Sequence, residues 1–274
     1  MHKQTGSLSP AKAEKVSKVE QVDADLALPT SKSTPSTRLG DYSTLLYGPE
    51  KVGKTTMASM FPKTVFLMFE PGGKALSIYQ QPVTNWASAK KLLRLLERDR
   101  RFDTVVVDTV DIAFKMCERA MCRKLGIEHP SDEDWGKGWN KIRDEFTEWA
   151  STLMLLGKGV ILISHAVERE IKQRNGERYH VVGPTMAGQA RSVIQPMVDI
   201  WCYYQFKNGR RSLVIRGDDH ITAGVRPVDR FLHNGKPLSE IDMGASSSEA
   251  YKNFVDAFAN TYVPPRVAAP KKEG

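Results

Sequence analysis

Gly48, Gly53, Lys54 and Thr55 stand at the spacing that holds a phosphate chain. The run Gly48-Pro49-Glu50-Lys51-Val52-Gly53-Lys54-Thr55 fits the pattern G-x-x-x-x-G-K-[ST]. The two glycines let backbone N–H groups of the loop turn inward around the phosphates, and a helix start behind them adds a favourable dipole. Lys54 sets a cation on the β- and γ-phosphates, Thr55 offers its hydroxyl to Mg²⁺, and Thr56 reaches the α-phosphate. The ligands implied are ATP and Mg²⁺. At glycine's usual share of about 7%, chance supplies roughly 0.01–0.02 such matches in a chain of this length. The match also follows an apolar strand and precedes a helix-compatible run, Lys54–Met60, which is the order the chemistry requires.

Three more polar residues close apolar runs. Thr104-Val-Val-Val-Asp108 is a hydrophobic strand ending in an acid, the Walker B arrangement, in which Asp108 holds Mg²⁺ through its water shell. Glu70 follows a second apolar run and is left at its tip by Pro71, Gly72 and Gly73. It reads as a general base on the attacking water, or else as a turn carboxylate. Ser164-His165 ends a fourth run, where His165 reads as a γ-phosphate sensor or as a simple strand cap. No second His or Cys stands at metal-ligand spacing from His165. Asp111 reads as a helix N-terminal residue and Asp103 as an exposed charge at a strand start.

The elements that must position these groups follow from the apolar pattern. Ser43–Tyr47, Thr64–Phe69, Thr104–Val107 and Gly159–Ser164 are continuous apolar runs, as expected for parallel strands covered on both faces. Between the third and fourth, Ser131 reads as an N-cap followed by Asp132, Glu133 and Asp134 in the first turn. Trp135, Trp139, Ile142, Phe146, Trp149, Leu153 and Leu156 then form one stripe, and Gly157 stops the helix. Continuity with Leu and Ile assigns the three Trp to core packing rather than to an aromatic nucleic-acid platform. Val198–Phe206, Arg211–Arg216 and Ile221–Thr222 read as antiparallel strands, with a hairpin turn over 207–210. Ser248–Tyr262 reads as a terminal helix.

The chain has 274 residues, 41% hydrophobic and 26% charged, which supports a core and excludes a wholly disordered chain. No run approaches the ~18 apolar residues of a membrane span. The start MHKQTGSLSP has no apolar signal region, so a cytoplasmic protein is expected. Cys117, Cys122 and Cys202 form no metal or disulfide framework and read as buried small apolar residues. Residues 1–40 contain no Phe, Trp or Tyr and read as a disordered arm; 41–262 suit one α/β domain; 263–274 read as a flexible tail. The net charge of +8 permits a polyanionic partner without requiring one.

Taken in order, LLYGPEKVGKTT, FLMFEPGG, TVVVDTV and GVILISHA resemble the RecA-like P-loop ATPases encoded by bacteriophages, often called phage nucleotide-binding proteins or AAA-domain ATPases. Some of these act as single-strand annealing recombinases. The resemblance covers about residues 41–220. It implies an α/β fold with a mainly parallel sheet of order 5-1-4-3-2, covered by helices, with antiparallel strands added C-terminally. That order would bring Lys54, His165, Asp108 and Glu70 to one nucleotide. RecA itself carries Gln at the sensor position, where His165 stands here.

The function implied is ATP hydrolysis coupled to single-stranded DNA in phage recombination, replication or repair. Phage or host replication and recombination proteins are the implied partners, the host cytoplasm the place, and a homo-oligomer the assembly. In it an Arg or Lys of a neighbour would complete the site; Arg210, Arg211 and Arg216 are candidates, unless they belong to a solvated hairpin. A small-molecule kinase would need an Arg-rich lid that no segment clearly supplies. A packaging or helicase motor would need an identifiable arginine finger or further domains. A nucleotide-gated DNA-binding scaffold with negligible turnover stays open.

The resemblance also places a single-stranded DNA contact after the fourth strand. Residues 168–191 carry Arg169, Lys172, Arg174, Arg178 and Arg191, with Gly176, Gly183 and Gly188 for mobility and Tyr179 to stack on a base. The opposing reading is an exposed β-hairpin centred on Asn175-Gly176, with Glu168, Glu170 and Glu177 diluting the positive field.

Overall fold

The computed structural model describes residues 28–173, 176–207 and 209–265. Residues 28–36 belong to a short unit of their own, without helix or strand; the folded unit begins at Thr37. Leu39 is already buried in its core, so the unit starts ahead of the expected boundary at residue 41. The rest of the expected arm, residues 1–27, and residues 266–274 of the expected tail lie outside the described residues.

Twelve strands are formed by the described residues. They are β1 (Thr44–Gly48), β2 (Thr64–Met68), β3 (Tyr79–Pro82), β4 (Thr104–Asp108), β5 (Gly159–Lys172), β6 (Arg178–Pro184), β7 (Ile200–Lys207), β8 (Arg210–Val214), β9 (Gly224–Val225), β10 (Leu232–His233), β11 (Lys236–Pro237) and β12 (Glu240–Asp242). The main sheet runs β12-β8-β7-β1-β5-β4-β2-β3, while β10 and β11 pair separately. Its central strands β7-β1-β5-β4-β2 are mutually parallel and reproduce the RecA-like order 5-1-4-3-2. β3 adds a parallel edge beside β2; β8 and β12 add antiparallel strands at the other end.

The segment expected as the first antiparallel strand, Val198–Phe206, has a double role. As β7 it lies parallel to β1 and antiparallel to β8. Just before it, Asp199 accepts hydrogen bonds from the backbone N–H and hydroxyl of Ser43, at 3.0 and 2.7 Å, which fixes the register of the two strands.

Each central strand is apolar on both sides because both sides are covered. On one face Leu45, Tyr47, Val105, Val107, Val160 and Leu162 pack beneath α2 (Trp86–Arg98), α3 (Val110–Leu125), α4 (Lys137–Met154) and α5 (Gly188–Ile194), the first labelled after α1 (Lys54–Ala58). On the other, Leu46, Phe66, Val106, Ile161 and Ile163 pack against α1 and α6 (Ser247–Phe258). The three cysteines are free and buried.

Two local expectations are corrected. The helix expected from Ser131 starts only at Lys137, after two short 3₁₀ turns. Trp135 sits in the second turn at φ 58° and is 93% exposed, off the core stripe that Ile142, Phe146, Trp149 and Leu153 do form. The fourth strand does not stop at Ser164. It runs on to Lys172 and pairs with β6 from Ala166↔Pro184 to Lys172↔Arg178. Of the two readings of residues 168–191, the structure forms the hairpin rather than the mobile loop, with Gly183 inside a strand and Gly188 opening α5.

Candidate nucleotide-binding site

The phosphate loop joins β1 to α1, and two glycines shape it. Gly48 lies so close to β7 that a Cβ there would collide with the carbonyl oxygen of Tyr204. Gly53 has φ 105°, a left-handed backbone that disfavours any other residue. Between them Pro49, Glu50 and Lys51 form an exposed crest, and Val52 anchors the loop in the core. A cleft of about 310 Å³ opens in front of the loop. Lys51, Gly53, Lys54, Thr55 and Thr56 line it on one side, and Glu70, Asp108 and His165 on the other.

Lys54 is only 5% exposed, and its ammonium donates to the carbonyls of Gly48 and Pro49, at 2.8 and 2.7 Å. Burial lowers its pKa from 10.5 to about 8, against the opposing pull of Asp108, Glu50 and Glu70. A buried cation held by neutral carbonyls retains its demand for an anion, which suits a phosphate. Thr55 donates its hydroxyl to Asp108 Oδ2 at 2.8 Å. Burial raises the pKa of Asp108, the Thr55 hydrogen bond opposes this, and the charge of Glu70 adds to it. A hydroxyl beside a buried carboxylate is a hard oxygen donor set of the kind Mg²⁺ takes when it is shared with phosphates and water.

Strand register explains how Glu70 and His165 meet. His165 lies opposite Gly48, while Asp108 lies opposite Ile163 and Met68. Glu70 and His165 each stand two residues beyond the level of Asp108. β4 ends there and turns into α3, so side chains from the strands flanking it meet over its end. His165 Nε2 lies 3.3 Å from Glu70 Oε1. A carboxylate accepts, so the tautomer that suits this contact is the one protonated at Nε2; the buried Nδ1 has no hydrogen-bond partner among the described residues.

Several residues of the site escaped sequence reasoning. Asp111 is in the first turn of α3, as expected, but it is buried and receives the hydroxyls of Ser164 and Thr185, at 3.0 and 2.7 Å. Since the Thr185 N–H also donates to the His165 carbonyl, the end of β6 is tied to the strand that carries the sensor candidate. Arg211 leaves β8 and donates through Nε to the Val52 carbonyl at 2.9 Å and through Nη1 to Ala245 at 3.3 Å, with its guanidinium over the Phe206 ring. It braces its own chain's phosphate loop. Arg210 pairs with Asp242, and Arg216 donates to Leu238, so the three arginines considered for a neighbour's site are all engaged within the chain.

Of the candidate DNA contacts, Lys172 and Arg178 stand opposite each other across β5 and β6, while Arg191 stands on α5. Lys172 is exposed near the hairpin end, Arg178 pairs with Glu170 at 3.0 Å, and Arg191 is half-buried with Nη2 toward the Pro184 carbonyl. Arg174 lies outside the described residues.

Among the described residues no helix is long and apolar enough to cross a membrane. The SPbeta prophage-derived uncharacterized protein YorG of Bacillus subtilis (strain 168) is 32% identical over 130 residues, which span 45% of this chain and 40% of that protein. The KaiC-like protein PH0186 from Pyrococcus horikoshii OT3 aligns with a TM-score of 0.44 at 13% identity, over 76% of this chain and 88% of its own. A family profile described as AAA domain matches residues 41–227, from just ahead of β1 to just past β9. With that match over most of its length, a phosphate loop at the head of β1 and a RecA-like strand order, this chain belongs to the AAA-domain family of P-loop proteins.

Proposed function

We propose that this protein is an ATPase that acts on single-stranded DNA in phage recombination, replication or repair. The observation that carries the reading is the convergence of Lys54, Thr55, Asp108, Glu70 and His165 on one cleft. Lys54 holds the phosphates. Thr55 and Asp108 would hold Mg²⁺, which when bound neutralises charge on the phosphate oxygens. Glu70 keeps Oε2 free to take a proton from the attacking water while His165 fixes Oε1. The net charge of +8 and the prophage origin of YorG support DNA as the macromolecular partner and a phage as the setting.

The test is ATP hydrolysis with and without single-stranded DNA. Stimulated turnover that is lost in Lys54→Ala and in Asp108→Ala is the expected result. Phosphate transfer to a metabolite would instead identify a kinase, and binding without turnover a nucleotide-gated scaffold.

A further inference from the structure

We propose that the surface formed by α2 and the β3 edge is where this protein holds the phosphates of a single strand; the inference rests on the single-stranded DNA reading above. Between Trp86 and Phe102 stand Lys90, Lys91, Arg94, Arg98, Arg100 and Arg101 against only Glu97 and Asp99. That leaves +4, half the charge of the whole chain, on 17 of its residues. The hairpin residues 168–178 carry Arg169, Lys172, Arg174 and Arg178 against Glu168, Glu170 and Glu177, for a net +1.

The availability of these charges differs as well. On the hairpin Arg178 is held by Glu170, Arg169 donates to Pro184, and His180 faces Glu168. On α2 Lys90 pairs with Glu145, and just past its end Arg101 pairs with Asp99. Lys91, Arg94, Arg98 and Arg100 are exposed and have no ion-pair or hydrogen-bond partner among the described residues. Lys91, Arg94, Leu95 and Arg98 fall at helical spacings of three and four, so they form one outward stripe.

The stripe borders a groove of about 290 Å³ between α2 and β3, lined in part by Tyr79, Leu95, Arg101 and Phe102. β3 is the last strand of the sheet, and all four of its residues are exposed. Tyr79 is 70% exposed, its ring held edge-on by Phe102 at 5.4 Å, while Arg101 lies over the Phe102 ring. A row of free cations beside a braced, accessible aromatic ring matches what an unpaired strand offers: phosphates along one side and base faces along the other. Stacked base pairs would have no face to give Tyr79. These groups sit on a helix and a strand, so the phosphate spacing is set by rigid elements.

The full-length protein is titrated onto an oligothymidylate by fluorescence anisotropy across a salt series. Lys91→Ala/Arg94→Ala/Arg98→Ala should weaken binding about 10-fold or more at low salt. It should also flatten the salt slope by about 2, at ~0.7 per lost phosphate contact on a single strand. Lys91→Arg/Arg94→Lys/Arg98→Lys should bind like wild type, which separates charge from folding. Tyr79→Ala should weaken binding with the slope unchanged. Lys172→Ala/Arg178→Ala should leave both near wild type.

If the hairpin variant loses binding and the α2 variant does not, the inference is overturned while the single-strand reading stands. Tighter binding to a duplex of equal length overturns the single-strand occupant. If the wild-type protein binds no oligothymidylate even at low salt, both readings fall.

Discussion

His165 Nε2 and Glu70 Oε1 stand 3.3 Å apart, although 95 residues separate them in the chain. The contact bridges the end of β4 and engages one oxygen of the Glu70 carboxylate, a residue that lines the cleft. Glu70→Gln should keep nucleotide affinity within a few-fold and cut turnover by ~10²-fold or more, the scale of a catalytic base. His165→Ala should cost about 10-fold, and the double variant should be no worse than Glu70→Gln, since the two act as a unit. Steady-state kinetics and a separate nucleotide titration read this out. Independent, multiplying losses would count against His165 as the residue that positions Glu70.

Lys54 predicts a pH dependence of known sign. Its folded pKa, about 8, lies below its ordinary 10.5. Below pH 8 it is charged in both states, and the folded protein bears the full cost of burying it. Between about 8 and 10.5 the unfolded chain holds the proton and the folded protein does not, so stability from this group rises with pH. Lys54→Met should therefore be more stable than wild type below pH 8, by an amount on the order of 3 kcal/mol. The gap should close toward pH 10.5 in urea unfolding. A gap that stays constant with pH would contradict the assignment. In the same variant nucleotide affinity should be lost.

Arg211 links β8 to the phosphate loop, so its removal should be felt at the nucleotide. Arg211→Ala should weaken nucleotide binding several-fold and lower stability by about 1.5–3 kcal/mol, the range for hydrogen bonds from a charged donor. Arg211→Lys keeps the charge but not the forked contact, and should fall between the two. Isothermal titration alongside thermal melts checks both effects. An unchanged affinity would leave Arg211 a brace of the hairpin alone.

Two tryptophans that look alike in the sequence should behave oppositely. Trp135→Ala removes an exposed ring and should stay within about 0.5 kcal/mol of wild type. Trp149→Ala opens a hole beside Trp86, Phe146 and Phe69 and should cost about 3–5 kcal/mol. Equal losses in chemical unfolding would return Trp135 to the core.

What could be read from the sequence was what is local in it. The phosphate loop is contiguous, so Gly48, Gly53, Lys54 and Thr55 announce it unaided. Asp108, Glu70 and His165 were legible because each follows a dense apolar run and a buried strand must end somewhere. The strand order came through the resemblance rather than from any single run. The tertiary contacts of Arg211 and Asp111 were not legible because their partners lie far along the chain, Val52 at a separation of 159 and Thr185 at 74. The helical period reaches back through Trp135, but the backbone there is not helical. Beyond Ser164 the strand continues in polar residues, which an apolar criterion cuts off too early.

β1 has no neighbour close to it in the chain: it is flanked by β5 and β7. At a synthesis rate of ~5–20 residues per second, the interval between making Gly48 and making Ile200 is roughly 8–30 s. Through that interval the nascent chain carries a five-residue apolar strand whose permanent neighbours are incomplete. The phosphate loop at its head has no scaffold until most of the domain has left the ribosome. The ability to hold a nucleotide thus arrives late in the birth of the molecule, and until then Leu45, Leu46 and Tyr47 are exposed to whatever in the cell shelters unfinished chains.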